Sequence, residues 1–228
     1  IQHNETRSMI KTLYLYKPEE EFKKTVLNKF KESFDENFAA EGVRLLLNGV
    51  SAAMIENAGK RLGFQFSPLE TADKLGIQCV INQLDSTDAS IASLIRSMQK
   101  INRNGLSSNK GFYDYKENKK KYLWHGLTEM IPPSKIQPDI QEVENRLLYS
   151  SINNIFYNYL KSSELKNYNI YNFISINNLG LPKWTGGPFE WVTQNGLKNF
   201  INKNEKYAKT LGSRFVLNNK IINIIEQI

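Results

Sequence analysis

A helix-boundary signature that occurs twice constrains this chain more than any other feature. In the first copy Ser67 stands at an N-cap, Pro68 at the first helical position and Glu70 at the third, and Gly76 closes the segment. In the second copy Gly187, Pro188 and Glu190 hold the same places, and Gly196 closes. Proline is tolerated at the first position because its missing N–H would have no intrahelical partner there. A carboxylate in the first turn suits the positive end of the helix dipole, and Ser67 with Glu70 has the spacing of a capping box. Glycine after the last turn takes the positive φ that stops a helix. Ser67-Pro68-Leu69-Glu70 aligns with Gly187-Pro188-Phe189-Glu190, and Gly76-Ile77 with Gly196-Leu197. The pattern predicts an internal duplication.

The other periodicities place the chain around these two marks. Thr6 to Tyr16 has the spacing of a short amphipathic helix, with Met9, Ile10, Leu13 and Leu15 apolar. A long helix starts at Pro18, and Phe22, Val26, Phe30, Phe34 and Phe38 recur along it every four residues. Such a stripe winds slowly round a helix and reads as packing. It continues through Val43, Leu46 and Leu47 and ends at Asn48-Gly49. Ser51 caps the next helix, with Met54, Ile55, Ala58 and Leu62 on its apolar face and Gly63 as its stop. Further helical stretches run from Ile77 to Leu84 and, after a loop at Asp85–Asp88, through Ile91, Leu94, Ile95 and Met98. From Leu106 to Leu127 the character changes to a connector with a short hairpin around Lys116–Lys121. Pro132, Pro133 and Pro138 lead into a second long helix, from about Asp139 to Leu160. Tyr168–Ile176 parallels Ser51–Leu62, and helices over Leu197–Leu211 and Asn218–Ile228 close the chain. The expected fold is all-α: two tandem similar helical units about a pseudo-twofold axis. The expected divisions are a linker-like helix at 1–17, a first unit at 18–105, a connector at 106–137 and a second unit at 138–228.

Composition enters mainly through what it excludes. No run approaches 18 apolar residues, so no membrane span is expected, and the N-terminus does not resemble a signal peptide. Cys79 is the only cysteine, which removes an intrachain disulfide and a cysteine-based metal site. A cytoplasmic setting is the expectation. The net charge of +7 favours anionic partners, although a Lys-rich surface also serves solvation. Neither G-x-G-x-x-G nor G-x-x-x-x-G-K-[ST] is present. Gly186-Gly187-Pro188 can offer N–H groups to an anion at a helix start; more often such a turn only lets two helices pack closely. His3 lies in a polar terminus, and His125 stands between Trp124 and Gly126 with no carboxylate close in sequence to orient it. Two separated histidines predict no transition-metal site. Carboxylate pairs such as Asp35/Glu36 read as solvated helix faces. The residues alone argue for a binding or assembly domain rather than a complete active site.

Several segments together resemble the C-terminal domain of the 3-hydroxyacyl-CoA dehydrogenase family, in the duplicated form of the multifunctional α subunit of fatty-acid β-oxidation complexes. They are Phe38–Gly49, Ile55–Phe64, Ser67–Gly76, Asn109–Tyr115, Asn178–Pro182, Gly186–Phe189 and Leu211–Phe215. Glu5–Leu15 resembles the linker helix that follows the hydratase domain in such fusions. The resemblance implies a helical fold of the 6-phosphogluconate dehydrogenase C-terminal-domain type, with no Rossmann domain in this chain. In that family the domain packs on an NAD-binding domain, closes over acyl-CoA and forms an assembly core. The whole enzyme oxidises L-3-hydroxyacyl-CoA with NAD. By that resemblance Phe66, Ser67 and Pro68 face substrate, and this chain itself holds no cofactor and no metal.

Departures from the family pattern bear on mechanism. The family's substrate-contacting Asn position is Glu32, and Asn28-Lys29-Phe30 has the motif one turn too early. Ser67 replaces a usual Gly, Glu56 and Asn172 each replace an Asp, and Asn154 replaces a Glu. The expected role is therefore substrate cap and assembly region, without dehydrogenase activity from this chain alone. A scaffold that binds a partner such as a thiolase subunit, or that self-associates, is the alternative. A basic nucleic-acid binder is a third reading, told apart by steep salt dependence; no nucleic-acid partner is expected.

Overall fold

A computed structural model describes residues 20–84, 88–116, 121–161 and 167–227. The linker-like helix expected at Thr6–Tyr16, and the start of the long helix at Pro18, lie outside them. Helix α1, Glu20–Leu47, is the axis of the fold. Its 28 residues span about 42 Å at the helical rise. Phe30, Phe34 and Phe38 are buried, as the four-residue stripe predicts. The Phe38 and Phe34 rings lie 4.2 and 6.4 Å from that of Phe64, and Phe30 lies 6.1 Å from Tyr171. Beyond Phe38 the amphipathic reading gives way, because every residue from Phe38 to Leu46 is buried. Other elements surround the helix there on all sides.

Those elements follow in the predicted order. Helix α2, Ala52–Leu62, has Ser51 at its N-cap accepting from the Met54 N–H, and Gly63 stops it at φ 92°. Helix α3 is Pro68–Leu75. The stretch after it, Ile77–Gln83, is a 3₁₀ helix. Helix α4, Ala89–Lys100, precedes an antiparallel hairpin of β1, Tyr113–Tyr115, and β2, Lys121–Leu123, in which Tyr113 faces Leu123. This two-stranded ladder is the only sheet among the described residues. After the short α5, Leu127–Met130, comes the second long helix, α6, Ile140–Lys161. Helix α7, Tyr168–Ile174, runs into a π-helical turn at Ser175–Leu179. Helices α8, Pro188–Asn195, α9, Leu197–Leu211, and α10, Asn219–Glu226, complete the chain. The fold is all-α apart from the hairpin. Helix α1 packs on α3 and the 3₁₀ helix in the first half of the chain and on α6 in the second, while α6 also packs on α2.

A buried carboxylate joins the two halves. Glu41 on α1 is fully buried. Its Oε1 accepts from Arg146 on α6 at 2.6 and 2.9 Å, and its Oε2 accepts from Arg214, on the 3₁₀ turn after α9, at 2.6 Å. Arg44 lies 3.8 Å from the same carboxylate and forms its own ion pair with Asp88 at 2.6 Å. Burial alone would raise the Glu41 carboxyl, but Arg146, Arg214 and Arg44 outweigh it and hold the group below its usual value. A group depressed in this way contributes its full stability above the unfolded carboxylate range, and the contribution is lost as pH falls through the lower folded value. Glu41→Gln leaves two guanidiniums without their counter-charge. It is expected to cost about 3–5 kcal/mol at neutral pH and to flatten the acid limb of the stability curve. Urea unfolding of both proteins between about pH 3 and 7 measures the two effects.

Candidate functional site

The site is built where α2, α3 and the hairpin meet under the Phe66-Ser67-Pro68 turn. Ser67 is the N-cap of α3, with extended backbone. The capping box expected between Ser67 and Glu70 does not form. Ser67 Oγ is buried without a partner, and the Leu69 N–H donates instead to Glu56 Oε1 at 2.8 Å. A carboxyl oxygen reaching across from α2 meets this amide and pre-empts the local cap. Glu70 turns away to pair with Lys121 on β2.

Glu56 does more than cap. Its Oε2 accepts from the Tyr113 hydroxyl at 2.5 Å, so one carboxyl ties α2, α3 and β1 together. It is only 2% exposed, and burial pushes it up to about 7 against the hydrogen bonds from Tyr113, Leu69 and Glu70. One turn of α3 beyond, Asp73 fastens the hairpin by its backbone. Asp73 Oδ1 accepts from Phe112 N–H at 2.7 Å, and Oδ2 accepts from Tyr113 N–H at 2.8 Å and Tyr115 hydroxyl at 3.0 Å. Burial pushes this carboxyl up to about 6, against those bonds and the Arg103 charge. Arg103 completes the strap by donating to the carbonyls of Gly111 and Tyr113 and to Asp114. The Asn109–Tyr115 segment is thus fixed to α3.

The residues singled out from the sequence occupy different depths. Phe66 is half-buried, with Lys74 Nζ 3.1 Å from its ring centroid. Ser67 and Pro68 are buried. Pro68 sits on two glycines: a Cβ at Gly42 would lie 2.3 Å from its Cβ, and one at Gly59 would lie 2.8 Å from its Cδ. Of the three, Phe66 alone offers an edge to solvent. Glu32 is exposed at a cavity of about 250 Å³ also lined by Glu36, Leu75, Gln78, Cys79 and Asn82. Glu36 is not on a solvated face as expected; it is buried and accepts from Asn82 at 2.6 Å and Gln83 at 3.0 Å. Burial, then Glu36, Asp35 and Asp73, push the Cys79 thiol up to about 12, which favours the protonated form. His125 is exposed. No cluster of metal-ligating side chains occurs among the described residues, and no helix there is long and apolar enough to cross a membrane.

At the start of α8 a different side chain supplies the cap. Asn172 Oδ1 accepts from Phe189 N–H at 3.0 Å. The Gly187 N–H is taken by Thr185 Oγ1 and that of Gly186 by the Lys183 carbonyl, so these N–H groups are not open to an anion. Close packing accounts for the glycine instead, since a Cβ at Gly187 would lie 2.4 Å from that of Asn172. Sequence reasoning missed Glu56 and Asn172 as caps because the side chain is remote from its amide, 13 residues away in one copy and 17 in the other. The available signal was that both positions depart from the same family residue.

Comparison with known proteins fits this architecture. Residues 36–115 match the family described as 3-hydroxyacyl-CoA dehydrogenase, C-terminal domain. The match ends at Tyr115, the last strapped residue of β1. The chain is 25% identical over 183 residues to the fatty acid oxidation complex subunit alpha of Vibrio vulnificus, covering 77% of this chain and 26% of that protein. With the same subunit of Shewanella loihica it is 23% identical over 200 residues, covering 82% and 27%. The chain therefore spans about a quarter of the length of the curated relatives it matches. The crystal structure of the dehydrogenase part of multifunctional enzyme 1 from C. elegans shares the fold, with a TM-score of 0.60 at 21% identity, over 82% of this chain and 45% of that one. The resemblance read from the sequence stands: residues 36–115 match the 3-hydroxyacyl-CoA dehydrogenase C-terminal domain, and most of the chain is similar to fatty acid oxidation complex alpha subunits.

The seat of Pro68 gives a test with an unusual sign. Glycine to alanine inside a helix ordinarily stabilises by up to about 1 kcal/mol. Gly42→Ala drives a methyl into a rigid ring and is expected to destabilise by about 1–3 kcal/mol. Denaturant unfolding of the variant decides the sign.

Proposed function

We propose that this chain supplies the substrate cap and assembly region of an NAD-dependent L-3-hydroxyacyl-CoA dehydrogenase of fatty-acid oxidation, acting with an NAD-binding domain. The observation that carries this reading is the turn itself. Glu56, Gly42 and Gly59 hold Ser67 and Pro68 rigidly in the core, while Phe66 is left at the surface beside Lys74. An apolar edge on a rigid support is what a docking domain or an acyl chain would cover. We read Phe66 as the contact and Ser67 and Pro68 as its support.

The neighbouring chemistry is altered from the family's. Glu32 puts a carboxylate at the position where the resemblance places a neutral, substrate-contacting amide. Hydride transfer needs an oriented nicotinamide and a general base at the substrate hydroxyl, and no residue described above is placed to be that base. We further read residues 18–105 and 138–228 as tandem units about a pseudo-twofold axis, with α1 and α6 equivalent. Supporting this, Pro68 and Pro188 each begin an eight-residue helix whose second N–H is held by a side chain from the preceding helix.

Residues 1–228 alone are expected to show no NAD-dependent turnover of 3-hydroxyacyl-CoA; sustained reduction of NAD by the purified chain would refute this. In calorimetric titration against an NAD-binding domain of the family, the chain is expected to bind. Phe66→Asp is expected to weaken that binding at least about tenfold, or roughly 1.4 kcal/mol, whereas Lys220→Asp on α10 leaves it unchanged. Equal affinities for wild type and Phe66→Asp would remove the cap reading and leave a scaffold that binds a partner such as a thiolase subunit.

A further inference from the structure

Trp184 belongs to the second half of the chain but stands over the first. It lies on the 3₁₀ turn Lys183–Thr185 ahead of α8, and its indole N–H donates to the Leu62 carbonyl at the end of α2 at 2.5 Å. Its Cδ1 is 4.0 Å from where a Cβ on Gly63 would sit. The turn beneath it is fixed by Thr185, which is buried, donates to the Pro182 carbonyl at 2.7 Å and accepts from the Gly187 N–H at 3.1 Å. With its one polar atom satisfied and its support rigid, the Trp184 side chain is still 57% exposed, whereas Trp191 is buried and Trp124 half-buried. We infer that Trp184 is a docking anchor on the edge that carries Phe66, and that this edge takes an acidic face of a separate protein domain. The inference rests on the reading of Phe66 as a contact with such a domain.

Distance and charge both support one shared edge. Phe66 follows Gly63 by three residues, so their Cα atoms are at most about 11 Å apart, and Gly63 and Gln65 on the way are exposed. A standard interface covers about 800 Å² of each partner, a patch roughly 30 Å across, so one domain reaches both rings. Tryptophan is enriched among the residues that dominate such contacts. The stretches 60–66 and 182–187 carry Lys60, Arg61 and Lys183 and no acidic residue, and Lys74 lies on the Phe66 ring. Arg61 is committed to Glu144. Lys60, Lys74 and Lys183 form no ion pair among the described residues. The carboxylates whose charge reaches Lys74 are Glu70, which pairs with Lys121, and Asp35, which pairs with Lys31. Three ammoniums without counter-charge around two aromatic side chains complement carboxylates and repel a basic surface, including a second copy of this chain at net charge +7.

Calorimetric titration against the same NAD-binding domain tests the anchor and the charge separately. Trp184→Ala is expected to weaken binding at least about tenfold. Lys60→Glu with Lys183→Glu, both at exposed positions, is expected to weaken it at low ionic strength and to flatten its salt dependence; Lys220→Asp changes neither. Hydroxyl-radical footprinting of the wild-type complex is expected to show oxidation of Trp184 and Phe66 falling together. Should Trp184→Ala not fold, that footprint and the double lysine variant still decide. Weakening by Phe66→Asp with Trp184 unprotected, or with Trp184→Ala folded and binding as wild type, overturns the anchor and leaves the cap reading standing. Weakening by Trp184→Ala but not by Phe66→Asp removes the Phe66 contact and leaves the anchor. Equal salt dependence in wild type and the double lysine variant overturns the acidic partner, and failure of the wild-type chain to bind overturns both readings.

Discussion

The interaction on which the rest of the structure depends is the Glu41 carboxylate with Arg146 and Arg214. It is made between residues 105 and 173 positions apart, and it sits where α1, α6 and the turn after α9 converge. A lone carboxylate at that depth would be too costly to bury ionised, and two lone guanidiniums equally so. Together they specify one arrangement of the three elements, because the planar forks must meet the carboxylate edges. Arg44 extends the network to Asp88 and so to the start of α4. The aromatic stripe of α1 supplies apolar burial; the ion cluster dictates how the halves are set against each other.

With that frame in place, a second set of polar groups positions the turn. Glu56 and Asp73 share the task of fixing the hairpin to α3, one by a side-chain hydroxyl and a helix amide, the other by two backbone amides of β1 and a hydroxyl. Neither carboxyl forms an ion pair among the described residues, in contrast with Glu41. A charge met by guanidiniums thus holds the frame, while carboxyls met by amide and hydroxyl donors fix the turn that carries Phe66.

Much of the architecture was legible because helix boundaries are local chemistry. Ser51, Gly63, Pro68, Gly76, Pro188 and Gly196 mark ends that depend on φ, on a missing N–H or on a side chain three residues away. The helices over Ala52–Leu62, Pro68–Leu75, Pro188–Asn195 and Leu197–Leu211 accordingly lie where the residues place them. The site was less legible. Ser67 and Glu70 have the capping-box spacing, yet the real cap comes from another helix. Glu36 has the look of a solvated residue, yet two amides from the 3₁₀ segment enclose it. In each case a long-range partner displaced the local one.

The sequence by itself determined the all-α character, the order and ends of the helices, and the family likeness, since these follow from periodicity, caps and motif order within short windows. Tertiary structure alone decided which polar residues are buried and what they hold. Glu41 and Arg44 share a helix with exposed charges and differ from them only in what surrounds that part of α1. Glu56 and Asn172 reach the amides they hold only when two short helices fold back onto their predecessors. Phe66 is separated from Ser67 and Pro68 by depth rather than by sequence. Burial and hydrogen-bond geometry are properties of neighbours brought from far along the chain, and no local window contains them.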